Sequence, residues 1–128
     1  MHEFLFVSTL SAQIRVSEVA NIARKARINN KMLGLTGVLI FDGIRFCEQL
    51  EGDTIHINNR LECIRKDLRH TDMNLLHVGP IEQRRFTRFS MGYAVIDDNE
   101  VLDSLSKLQG QAAINSLIAM IPQLDLDA

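Results

Sequence analysis

The chain has 128 residues, 46% hydrophobic and 23% charged, with a formal net charge of -2. That length suits one domain around one packed core, and that charge lacks the basic surplus on which nucleic-acid binding draws. No apolar run approaches the roughly 20 residues needed to cross a bilayer, and "MHEFLFVS" starts as a strand rather than a secretory signal, so neither a nucleic acid nor a membrane is expected as a partner. Cys47 and Cys63 stand far apart and outside any CxxC pattern, which predicts neither a zinc site nor a disulfide and points to a reducing cytoplasm.

Taken in chain order, "EFLFVSTL" is rich in β-forming residues and predicts a first strand of about six residues. Val19, Ile22, Ala23 and Ala26 then follow helical spacing, with Ser17 as the expected cap and an end near Asn29 and Asn30. "LTGVLIFDG" and "IRFCEQLEG" predict two antiparallel strands joined by a tight turn at Asp42-Gly43. Ile57, Leu61 and Ile64 recur at helical spacing between Asp53 and Asp67, with Asp53 or Thr54 as the cap. "MNLLHVGPIEQRRF" predicts a fourth strand broken near Gly79-Pro80, and "SMGYAVI" a fifth before the acidic turn at Asp97-Asp98-Asn99. Two helices are expected in the tail, over Val101 to Leu108 and Ala112 to Ile121, with Gly110 between them and Pro122 ending the second.

This order predicts an α+β, ferredoxin-like βαββαββ sandwich: a mixed sheet with two helices on one face, plus C-terminal helices. Residues 3–95 are expected to form the main domain, and 96–128 a helical extension packing on the sheet or on a partner. Fold alone does not give function.

One residue breaks the pattern. In the third strand Ile44, Phe46 and Leu50 share a face by alternation, and Glu48 falls on that same apolar face. A carboxylate is costly to bury unless it is paired, protonated or hydrogen-bonded, so burial is expected to raise its pKa. No nucleophile motif, phosphate loop or metal-ligand spacing occurs, so no catalytic or metal site is expected and an enzyme is the least supported class.

Three stretches, "ARINNKMLGLTGVLIFDGIRFCEQLEG", "IRKDLRH" and "RRFTRFSMGY", together resemble the BLUF family, flavin-binding domains that sense blue light using FAD. The resemblance implies a flavin ring between the two helices, edge toward the sheet. Asn29 and Asn30 match the doublet that hydrogen-bonds the ring, and Asp67, Arg69 and His70 match the residues near its edge and ribityl chain. Ile22 is expected to wall the ring. The family's Tyr-x-Ser on the first strand is here Phe6-Val7-Ser8, and its F-x-Q-x-LEG places Glu48 where the family has glutamine. Gln49 is no substitute, because a one-residue shift puts it on the other strand face. The family's W-S-M-G is Phe89-Ser90-Met91-Gly92, and the chain holds no tryptophan and a single tyrosine, Tyr93.

The family's tyrosine gives an electron and a proton to the excited flavin; Phe6 has no O–H and cannot. Its glutamine rearranges between donor and acceptor roles, which an ionised Glu48 cannot do. The resemblance therefore implies a signalling protein with FAD, or another flavin in its place, lacking the standard red-shift photocycle. The alternative is a flavin-free adaptor on the same fold. With no fused output domain in the sequence, the expected partners are a separate downstream signalling protein or further copies in a homo-oligomer.

Overall fold

The computed structural model describes residues 1–126; the last two residues of the expected 96–128 extension lie outside the described residues. Five strands form one sheet in the order β4-β1-β3-β2-β5. They are β1 (His2–Leu10), β2 (Thr36–Phe41), β3 (Arg45–Gly52), β4 (His70–Pro80) and β5 (Gly92–Val95). All neighbouring pairs are antiparallel except β2 with β5, so the sheet is mixed, as expected. The helices are α1 (Val19–Met32), α2 (Thr54–Arg65), α3 (Asn99–Leu105) and α4 (Gly110–Met120).

Strand alternation divides the core in two. Phe4, Phe6, Leu39, Phe41, Phe46 and Leu50 face α1 and α2, meeting Val19, Ala23, Ile57, Leu61 and Ile64. Leu5, Val7, Val38, Ile40 and Cys47 point the other way, onto Leu102 and Leu105 of α3 and Ala113, Ile114 and Leu117 of α4. The C-terminal helices therefore cover the sheet face that α1 and α2 leave open.

The turn at Asp42 forms because its carboxylate accepts the Ile44 and Arg45 N–H groups at 2.9 and 2.6 Å, while Gly43 takes a left-handed φ of 94°. Ile44 lies in this turn and is exposed, rather than joining Phe46 in the strand. Gly37 lets β2 and β3 approach closely, since a Cβ there would stand 2.0 Å from the Gln49 carbonyl oxygen.

Several boundaries differ from expectation. Ser17 does not cap α1: it already lies inside a short 3-10 turn, Val16–Glu18, that leads into the helix. Asp53 does cap α2, accepting the Ile55 N–H at 3.0 Å. The fourth strand starts earlier, at His70, and ends at Pro80, where the break was expected; beyond it the Arg85 and Phe86 N–H groups go to the Glu51 carboxylate at 2.9 to 3.0 Å. Gly110 opens α4 with φ of 61° instead of standing between two helices.

Candidate functional site

A cleft of about 280 Å³ opens between α1, α2 and the sheet, near the lower end of the roughly 300–1,000 Å³ typical of small-molecule pockets. Phe6, Leu39 and Phe46 form its apolar floor, with Ile22 and Ala26 of α1 on one side and Ile64 of α2 on the other. Glu48 rises from the middle of the floor. It pairs across the strands with Phe6 on one side and Leu39 on the other. Leu39 in turn pairs with Tyr93, so one row runs Phe6, Glu48, Leu39, Tyr93. At the usual 4.7–4.9 Å between strands, the half-buried Tyr93 backbone stands about 10 Å from that of Glu48.

Glu48 is 7% exposed, and among the described residues no hydrogen bond or ion pair is made to its carboxyl. Burial, the dominant cause, raises its pKa to about 7; the Arg60 cation opposes this and Asp67 adds to it. The sequence reading expected that direction. The Cys47 thiol, on the far face of the same strand, is pushed well up by burial and by the neighbouring Glu48 charge.

The rim is polar. Asp67 accepts from the Arg69 backbone N–H and Nε at 3.0 Å, and this holds its carboxyl below the ordinary range. His70 is fixed by both ring nitrogens: Nε2 lies 2.6 Å from the Ile64 carbonyl and Nδ1 lies 2.8 Å from the Ser8 hydroxyl. A carbonyl only accepts, so Nε2 carries a hydrogen, and in the neutral ring Nδ1 accepts from Ser8.

Ile22, Asn29, Glu48, Asp67, Arg69 and His70 thus line one cleft, together with Phe6 and Ser8. Asn30 is buried behind it, at the end of α1, and both polar atoms of its amide lack a partner. Met91 packs in the core on the cleft side, whereas Phe89 packs on the opposite face, where its carbonyl holds the Gly37 N–H at 2.9 Å. Lys25 and Arg60 also line the cleft and were not read from the sequence. Arg60 was accessible to that reading, since its spacing from Ile57 and Ile64 puts it on the same side of α2. Its Nε is buried without a partner.

The opposite face carries a polar cluster that sequence reasoning missed. Gln49 Nε2 donates to Glu3 at 3.0 Å and to Glu51 at 2.9 Å. Arg85 grips Glu3 through Nε and a terminal nitrogen at 2.8 and 3.0 Å, and the Thr36 hydroxyl donates to Glu51 at 2.7 Å. Gln49 therefore does face away from the cleft. Among the described residues no group of three or more His, Cys, Asp or Glu is arranged to hold a metal, and no helix is long and apolar enough to cross a membrane.

A mixed sheet with two helices over a polar-edged cleft is an α+β sensor-domain architecture found in known structures. The dark-state structure of BlrB, a BLUF protein, is 25% identical with a TM-score of 0.78, covering 94% of this chain and 93% of that one. The BlsA ground state superposes with a TM-score of 0.81 at 21% identity, over 99% and 91% of the two chains. Photoactivated adenylate cyclase subunit beta of Euglena longa is 31% identical over 81 residues, which is 63% of this chain but only 9% of that protein's length. Residues 1–92 match the family model for BLUF, sensors of blue-light using FAD. The chain belongs to the BLUF family, whose members are blue-light flavin sensors.

Proposed function

We propose that the cleft binds the ring of FAD, or of another flavin, and that this domain does not run the family's red-shift photocycle. The observation that carries the binding half is the convergence of six expected residues on one cleft, where the Arg60 Nε is buried without a partner and, among the described residues, no hydrogen bond is made to the Glu48 carboxyl; the Asn30 amide is buried and unpartnered as well. A flat ring with apolar faces and a polar edge fits this set, since Ile22, Ala26, Phe6 and Ile64 offer apolar contact and Asn29, Asn30 and Glu48 offer donors and acceptors. Asp67, Arg69 and His70 would hold the ribityl end. A bound flavin would supply absorption of blue light.

The photocycle half rests on Phe6 and Glu48, which are direct cross-strand neighbours. The phenol and the amide are replaced at adjoining positions, leaving no oxidisable aromatic on the cleft floor. We read residues 3–95 as the ligand-binding unit and 96–128 as the extension through which a separate signalling protein, or a second copy of this chain, is engaged in the cytoplasm. This reading assigns the chain no catalysis of its own.

The absorption spectrum of the purified protein tests the first half. Flavin bands in the blue are expected; a folded, colourless protein that refuses added FAD overturns it and favours the flavin-free adaptor. Illumination tests the second half: no reversible red shift is expected in the wild type, and one would overturn it. Phe6→Tyr with Glu48→Gln is expected to restore the shift in flavin-loaded protein.

A further inference from the structure

Among the described residues no hydrogen bond or ion pair is made to the Glu48 carboxyl in the cleft. Glu48 is 7% exposed and is flanked across the strands by Phe6 and Leu39. The charged groups around it come from three elements: Lys25 on α1, Arg60 on α2, and Asp67 and Arg69 after α2. Lys25 is exposed, and Arg69 is tied to Asp67 at 3.0 Å. His70 is committed to Ser8 and to the Ile64 carbonyl. Cys47 and Gln49, its neighbours along the strand, face the other way, as does the cluster of Glu3, Glu51 and Arg85. The Arg60 cation lowers the pKa of Glu48, and burial outweighs it.

A neutral carboxylic acid presents one O–H donor beside one C=O acceptor, whereas a carboxylate only accepts. The first pattern is complementary to the edge of a ring that carries an N–H beside a C=O; the second faces that carbonyl with like partial charge. The geometry points to Glu48 recognising its ligand as the neutral acid, its O–H donating a hydrogen bond to a ring carbonyl, so that the cleft selects flat heteroaromatic rings with an imide or lactam edge and binds them with the acid protonated. This deepens the flavin-cleft reading and rests on it.

Riboflavin is the probe, because it carries the ring without phosphate or adenine. Its affinity for wild type, followed by fluorescence quenching, is expected to fall roughly 30-fold between about pH 6 and about pH 8.5, as the binding-competent acid form is depleted above its pKa near 7. Glu48→Gln keeps a donor and an acceptor without a titratable proton, and its affinity should stay level within about twofold over that range. Binding by wild type that does not change with pH, or the same slope in Glu48→Gln, overturns the proposal and leaves the flavin-cleft reading standing. A second measurement needs no ligand: the carbon-13 resonance of the Glu48 carboxyl in the flavin-free protein is expected to titrate near neutrality, and titration in the ordinary carboxylate range overturns the proposal whatever riboflavin does. Failure of both proteins to bind riboflavin at any pH overturns the flavin-cleft reading and this recognition step together.

Discussion

Glu48 and Glu51 stand three residues apart on β3, one under each face of the sheet, and both are almost wholly buried. Glu51 is held by the Thr36 hydroxyl, the Gln49 amide and two backbone N–H groups, and nearby Glu3 is held by Arg85 and Gln49. Among the described residues Glu48 has no such partners, and it carries a raised pKa instead. The difference separates a face whose two acids are fixed by partners within the fold from one where, among the described residues, no hydrogen bond is made to the Glu48 carboxyl.

The comparison breaks most severely at Arg85. Arg85→Ala removes the paired contact to Glu3, which is 1% exposed, and is expected to destabilise the fold by on the order of 3–5 kcal/mol in urea unfolding. A loss below about 1 kcal/mol would show that the far-face cluster does not hold the 81–91 segment.

The next effect sharpens the comparison through pH. Glu48 has its pKa raised from an ordinary 4.5 to about 7, so the native state binds more protons than the unfolded chain across that window. Its contribution therefore falls as pH rises through the window and is level above it, a cost on the order of 3 kcal/mol in full. Glu48→Gln should remove this slope, making the variant progressively more stable than wild type between those pH values. Equal slopes in urea midpoints would assign the pH dependence elsewhere. The smallest effect is at the α2 cap: Asp53→Ala should cost about 1 kcal/mol of stability, read as a lower thermal midpoint, while leaving both acid environments intact.

The element order was legible because each stretch carries its own period: alternation in "EFLFV" and "GVLIF", and spacings of three and four at Ile57, Leu61 and Ile64. Boundaries were less so. Ser17 has the chemistry of a cap, but nothing local shows that the chain enters α1 through a 3-10 turn. The cleft's positions were legible through the family motifs, and the opposite orientation of Gln49 through strand parity alone. The far-face cluster was not, because its partners lie up to 82 positions apart in sequence and only the sheet brings Arg85 to Glu3. Phe89 lies outside a regular strand, so alternation had no hold on which face it takes.

The two cysteines offer a practical handle. Cys47 is buried on the far face with its thiol held firmly protonated, while Cys63 is exposed on α2, one residue before Ile64 of the cleft wall. A maleimide dye should therefore attach at Cys63 alone in the folded protein, and an environment-sensitive dye there would test whether added flavin changes the α2 wall of the cleft, with no engineered attachment point.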